Sequence, residues 1–219
     1  MILLRGLLVS CQARADNPLH GPAFMAAMAR AARDAGAVGI RANGPDDIAA
    51  IHAAVDLPVI GIHKLFAQGQ EVYITPTVAA ARAVISAGAQ VVAFDATDRP
   101  RAGDPPARIV AAIHAAGAES FADVATLDEG LAAAALGVTY VATTLSGYTA
   151  ATQGSGPGPD LNLVAALVAQ AGVPVVAEGR YTTPDLARAA LDAGAHAVVV
   201  GTAITNPREI ARGFVRALT

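Results

Sequence analysis

The stretch Ala80-Ala81-Arg82-Ala83-Val84-Ile85-Ser86-Ala87-Gly88-Ala89-Gln90-Val91-Val92-Ala93-Phe94-Asp95 decides the fold. It begins as an alanine-rich amphipathic run, stops at Gly88, and continues as an apolar run that ends on Asp95. Glycine can take the left-handed position that closes a helix. A short, continuously apolar run after such a stop is the mark of a strand buried on both faces. The same unit recurs at Gly36-Ala37, Gly117-Ala118, Gly137-Val138, Gly172-Val173 and Gly194-Ala195, and Asp56-Leu57-Pro58 makes a seventh turn, with proline stopping the helix. Seven helix-to-strand turns predict eight strands: Leu7–Gln12, Val38–Arg41, Val59–Lys64, Gln90–Asp95, Ser120–Asp123, Tyr140–Thr143, Val175–Glu178 and Ala197–Gly201. Alternation of buried strands with helices predicts a parallel sheet covered by helices on its outer side. Eight such units in 219 residues suit a small α/β protein of the (β/α)8 TIM barrel type, one domain spanning 1–219. A doubly wound open sheet is the alternative. It usually has fewer strands, and no G-x-G-x-x-G follows the first strand here.

Composition narrows the partners. Hydrophobic residues make up 54% and charged residues 15%, enough apolar material for one sizeable core. With 15 Lys and Arg against 18 Asp and Glu, the formal charge of −3 argues against nucleic acid. Mean hydropathy is +0.46, yet no apolar run reaches the ~18 to 20 residues that span a bilayer, so no membrane partner is expected. Leu8-Val9-Ser10-Cys11 resembles a lipoprotein processing box, but the apolar run before the cysteine is shorter than the ~7 to 15 residues of a signal core and reads as the first strand. The single cysteine, Cys11, allows no disulfide within the chain and suits a reducing, cytoplasmic setting. His20, His52, His114 and His196 show no metal-ligand spacing, and no metal or cofactor is expected. His63 alternates with Lys64 and so is read as facing the helices. Homo-oligomerisation is left open.

In such barrels chemistry sits at the carboxyl ends of the strands. Here those ends carry Gln12, Arg41, Lys64, Asp95, Asp123, Thr143 with Thr144, Glu178, and the Gly201-Thr202 turn. One polar strand end needs no explanation; an Arg, a Lys, two Asp and a Glu on one rim point to a pocket. A Lys and a Glu there can serve as base and acid, with Arg and Asp setting their pKa values, which suits proton abstraction beside a carbonyl. Read singly, Lys64 could contact phosphate or solvent, Glu178 could pair with Arg180, and Arg41 could bridge to Asp123 or Asp16. Glu178-Gly179-Arg180 and Gly201-Thr202-Ala203-Ile204 occupy the two turns that usually bind phosphate in these barrels. Gln153-Gly154-Ser155-Gly156-Pro157-Gly158-Pro159 reads equally as a mobile lid or a slack surface loop.

Several segments together resemble the N-acetylmannosamine-6-phosphate 2-epimerases: Val9–Gln12, Gly61-Ile62-His63-Lys64, Val72–Thr77, Asp95-Ala96-Thr97 with Arg99 and Arg101, Ala122-Asp123-Val124, Thr143-Thr144-Leu145-Ser146-Gly147-Tyr148-Thr149, Ala177-Glu178-Gly179-Arg180 and Val200–Thr205. His63 and Leu65 on either side of Lys64, and Asn206 after Thr205, depart from the residues common in that family. The resemblance implies a barrel of the ribulose-phosphate-binding type and a cofactor-independent sugar-phosphate epimerase acting at C2, beside the open-chain aldehyde, in amino-sugar and sialic-acid catabolism. By position it implies Lys64 as the base that removes and returns the C2 proton and Glu178 as the acid/base for ring opening. It implies Gln12, Arg41, Asp123 and Thr144 as substrate-binding residues, and Gly179, Arg180, Gly201 and Thr202 as the phosphate cradle. Two other readings stay open: a Schiff-base lyase or aldolase acting through Lys64, and a sugar-phosphate binder without catalysis.

Overall fold

Six glycines that end alanine-rich runs, Gly36, Gly88, Gly117, Gly137, Gly172 and Gly194, all take positive φ, as helix stops require. In the computed structural model, which describes residues 1–154 and 156–219, the amides just beyond four of these stops reach back into the last helical turn: Ala37 to Ala32 O, Ala89 to Val84 O, Ala118 to Ile113 O and Ala195 to Ala190 O. Ser155, inside the glycine-proline stretch 153–159, lies outside the described residues.

The stops separate a regular alternation: β1 (Gly6–Cys11), α1 (Pro22–Asp34), β2 (Gly39–Asn43), α2 (Pro45–Ala54), β3 (Val59–Ile62), α3 (Val78–Ser86), β4 (Val91–Asp95), α4 (Pro106–Ala115), β5 (Glu119–Asp123), α5 (Leu127–Ala135), β6 (Tyr140–Ala142), α6 (Leu161–Gln170), β7 (Val175–Glu178), α7 (Pro184–Asp192), β8 (Ala197–Val200), α8 (Thr202–Thr205) and α9 (Pro207–Leu218). The eight strands pair in parallel in chain order, and β8 returns to β1 to close the (β/α)8 barrel. Helix starts are set locally. Thr77, Asp160 and Thr183 accept from amides in the first turns of α3, α6 and α7, and Thr126 with Glu129 forms a capping box on α5. No helix among the described residues is long and apolar enough to cross a membrane.

Strand alternation sorts the core into two layers. Val9, Cys11, Ile40, Ala42, Val59, Val92, Phe94, Ala122 and Val141 pack outward against helices, while Leu8, Ile60, Ile62, Val91, Ala93, Phe121, Tyr140, Val176 and Val199 fill the barrel. Side chains two apart share a face. Arg41 lies between outward Ile40 and Ala42, Asp123 follows outward Ala122, and Glu178 stands two beyond inward Val176, so all three carry inward parity at the carboxyl end of the barrel.

Several strand ends differ from the sequence reading. β1 stops at Cys11, β3 at Ile62, β6 at Ala142 and β8 at Val200, which leaves Gln12, Lys64, Thr143 and Gly201 just past the ladder. β2 instead continues to Asn43, two residues beyond Arg41. The last two helices also depart from a simple repeat. α9 has no buried residue, and Phe214 and Leu218 are 70% and 86% exposed.

Candidate active site

Arg41 is the centre of the site. Its side chain is 1% exposed and grips Asp123 with both terminal nitrogens, at 2.9 Å to Oδ1 and 2.6 Å to Oδ2. The nitrogen that meets Oδ1 also donates to Glu178 Oε2 at 2.5 Å. The guanidinium lies 5.3 Å from the centroid of the inward Phe121 ring. Burial works against its charge, but the two carboxylates outweigh burial and hold Arg41 above the usual arginine range. Of the pairings left open by sequence, Arg41 takes Asp123 and Glu178, while Asp16 pairs with Arg208 at 3.0 Å. Thr144 joins the cluster, its hydroxyl 2.6 Å from Asp123 Oδ1 and 3.2 Å from Glu178 Oε2.

Lys64 approaches from the neighbouring side of the mouth. Its Nζ donates to Gln12 Oε1 at 2.8 Å, and Gln12 Nε2 donates to Ser10 Oγ at 2.9 Å. Burial, reinforced by the Arg41 charge, pulls Lys64 down to about 8. Burial also pushes Glu178 up to about 7; Arg41 opposes that shift, and Asp123 adds to it. The two groups thereby titrate within about one unit of each other, at and just above neutrality.

Lys64 is held by residues to which the sequence assigns no role. Its amide donates to Asn43 Oδ1 at 2.8 Å, and it forms an antiparallel bridge with Ile74. The ribbon so begun is closed by Leu65 N to Tyr73 O at 2.9 Å and by stacking of Phe66 on Tyr73 at 4.7 Å. Its anchor is Thr75, a β-branched residue at φ 44, whose hydroxyl donates to Ala93 O at 2.6 Å and accepts from the His63 amide at 3.1 Å. Such a backbone is strained and persists where surrounding bonds over-determine it.

Asp95, expected on the catalytic rim, is otherwise engaged. It lies level with Asp123 in the ladder, but its carboxylate binds Arg99 at 2.6 Å and the Thr97 hydroxyl at 2.6 Å. Arg101 closes the same loop on the carbonyls of Asp95 and Thr97. This knot shapes the β4–α4 loop and leaves Asp95 outside the Arg41 cluster.

At the expected phosphate turns, Gly179 and Arg180 both have positive φ. Arg180 donates to Gly156 O at 2.9 Å, lies 5.9 Å from the Tyr148 ring centroid, and lays its guanidinium against Gly147, where a Cβ would have to displace it. Gly201 precedes α8, and a Cβ on it would sit 3.3 Å from Ser10 Cβ. The first helical bond here is Ile204 N to Gly201 O, so the amides of Thr202 and Ala203 precede any intrahelical acceptor. Asn206 caps α9 by accepting from Glu209 N. Among the described residues no three His, Cys, Asp or Glu side chains are grouped to hold a metal ion.

The same barrel and sequence recur among known proteins. A family model described as "Putative N-acetylmannosamine-6-phosphate epimerase" matches residues 25–219. A relative named "Putative N-acetylmannosamine-6-phosphate 2-epimerase" from Caldanaerobacter subterraneus subsp. tengcongensis is 47% identical over 219 residues, covering 97% of this chain and 91% of its own. A Staphylococcus aureus protein of the same name is 44% identical over 220 residues and covers 99% of both chains. A solved N-acetylmannosamine-6-phosphate 2-epimerase from Clostridium perfringens superposes with a TM-score of 0.95 at 41% identity, covering 99% of this chain and 94% of that one.

Proposed function

The chain belongs to the N-acetylmannosamine-6-phosphate epimerase family, and from that premise we propose that it inverts C2 of N-acetylmannosamine 6-phosphate to give N-acetylglucosamine 6-phosphate. The observation that carries this reading is one buried arginine that joins Asp123 and Glu178 at the mouth of the barrel, where Lys64 also arrives, held by Gln12. Glu178 transfers the proton that opens the ring and frees the C1 aldehyde. Neutral Lys64 then takes the proton from C2, which the aldehyde acidifies, and the electron pair passes to the carbonyl oxygen as an enolate. The Lys64 ammonium just formed and the Arg41 guanidinium offset that charge. Rotation of the open-chain enolate about its C2–C3 bond turns its other face to the Lys64 ammonium, which returns the proton to C2, and ring closure completes the inversion. Gln12 aims Nζ, and Asp123 holds Arg41 in place; Gly179, Arg180, Gly201 and Thr202 are the phosphate cradle of this proposal.

Proton NMR in D2O with purified protein tests it. Deuterium is expected at C2 of both epimers, and unphosphorylated N-acetylmannosamine is expected to exchange far more slowly, because binding energy at the phosphate helps organise the reacting end. Exchange at another carbon, or none, overturns the reaction. Equal efficiency on both sugars overturns the phosphate cradle. A Schiff base at Lys64 would be trapped by borohydride with substrate, and no adduct is expected.

Two further parts of the reading concern setting. A phosphorylated substrate and an unpaired, buried Cys11 suit the cytoplasm. Self-association through α9 would cover the exposed Phe214, Val215 and Leu218. Light scattering is expected to report a mass of at least two chains; a monomer at every concentration overturns it.

A further inference from the structure

We propose that Thr144 is a positioning residue that governs the proton on Glu178, its hydroxyl acting, among the described residues, as the one reversible hydrogen-bonding group between Asp123 and Glu178. The catalytic consequence rests on the epimerase reading; the contacts themselves do not. Two atoms bridge the same pair of carboxylate oxygens. On one side Arg41 Nη1 donates to Asp123 Oδ1 at 2.9 Å and Glu178 Oε2 at 2.5 Å. On the other, Thr144 Oγ1 lies 2.6 Å and 3.2 Å from those two atoms. The four atoms close a ring.

The two bridges differ in kind. A guanidinium only donates, whereas a hydroxyl donates one proton and accepts through its lone pairs. When Glu178 is ionised, the Thr144 proton adds to Arg41 in stabilising the two carboxylates. When Glu178 is protonated, its O–H can donate to Thr144 Oγ1 while Thr144 donates to Asp123. Each state of the cycle then keeps its buried polar atoms satisfied, which a ring built on Arg41 alone would not. The charged groups around Glu178 are Arg41 from β2, Lys64 beyond β3 and Asp123 from β5: Arg41 only donates, the ionised Asp123 only accepts, and the Lys64 nitrogen is bonded to Gln12 Oε1 instead. The neighbouring Thr143 is committed elsewhere. Its hydroxyl exchanges hydrogen bonds with the Glu178 backbone, donating to the carbonyl at 3.0 Å and accepting from the amide at 3.1 Å. Consecutive threonines thus divide the work: Thr143 locks the main chain of Glu178 and Thr144 serves its carboxyl group.

Thr144→Val keeps the shape and removes the hydroxyl. Both protonation states lose a hydrogen bond, but the one to the ionised carboxylates is charge-assisted and the stronger, so Glu178 should hold its proton about one pH unit longer, moving further above about 7. Two readouts test this: a 13C NMR titration of the Glu178 carboxyl in substrate-free protein, assigned by its absence in Glu178→Gln, and the acid limb of kcat/KM for epimerisation. Both are expected to move up by about one unit in Thr144→Val and to return in Thr144→Ser. Thr144→Ala takes the place of valine if that variant does not fold. A Glu178 titration unchanged in the folded hydroxyl-less variant overturns the proposal and leaves the epimerase reading standing. A shifted titration in a protein whose wild type never exchanges C2 does the reverse.

Discussion

Replacing Lys64 by alanine is expected to lower turnover by at least about 10²- to 10⁴-fold while substrate still binds, the range that a positioned proton-transfer group supplies. An ordinary lysine, near ~10.4, is almost wholly protonated at neutral pH and cannot serve as a base. Burial and Arg41 bring Lys64 to about 8, so roughly a tenth is free amine near pH 7. Arginine at position 64 should not rescue, because a guanidinium does not give up its proton near neutrality. The pH profile carries the same argument. The proposed mechanism uses neutral Lys64 together with protonated Glu178, yet Glu178 at about 7 loses its proton before Lys64 at about 8 does. The active pair is a minority tautomer, and kcat/KM should trace a narrow bell with limbs at about 7 and about 8. Lys64→Ala retaining more than roughly a tenth of wild-type kcat would reduce Lys64 to a binding residue.

How far this site was legible follows from where each residue acts. The barrel could be read because its helix stops are written as residues: a glycine after an alanine-rich run has few other uses, and six of them adopt positive φ. Gln12, Arg41, Lys64, Asp123 and Glu178 could be read because a charged or amide side chain at the end of an apolar run is conspicuous. Strand ends were less legible, since composition does not show where a ladder's last hydrogen bond falls; Lys64 lies two residues past the end of β3. Asp95 misled because its partners Thr97 and Arg99 are local, and a local knot looks the same in sequence as a catalytic carboxylate with solvated neighbours. Asn43 drew no notice, and Thr75, though within the Val72–Thr77 segment, drew no role, because both act through backbone groups. The φ of 44 at Thr75, which gives that residue away, is a property of the folded chain alone.

Arg41→Met should cost about 3 to 5 kcal/mol of stability, because it leaves two buried carboxylates without their cation. Asp123 is 0% exposed and Glu178 14%, and among the described residues no other cation forms an ion pair with either. Glu178→Gln should do the opposite at pH 8, and the reason is a matter of sign. Folded Glu178 titrates at about 7 against an ordinary value of 4.5, so between those values the folded chain binds the proton that the unfolded chain has released. Its contribution to stability therefore falls as pH rises from 4.5 to about 7 and stays low above that. Lys64 behaves in mirror image. Folded, it loses its proton at about 8 rather than 10.5, so stability is regained only as pH climbs between those values. The two groups place their shared minimum of stability between about 7 and about 8, the window that the proposed mechanism uses. Urea midpoints measured against pH read this directly. Glu178→Gln should exceed wild type at pH 8 and converge on it near pH 4, whereas Arg41→Met should fall below wild type most severely at pH 8, where both carboxylates are ionised. A Glu178→Gln variant less stable than wild type at pH 8 would mean that Arg41 stabilises the Glu178 carboxylate by more than burial costs it. Glu178 would then titrate below neutrality and the acid limb of catalysis would move down with it.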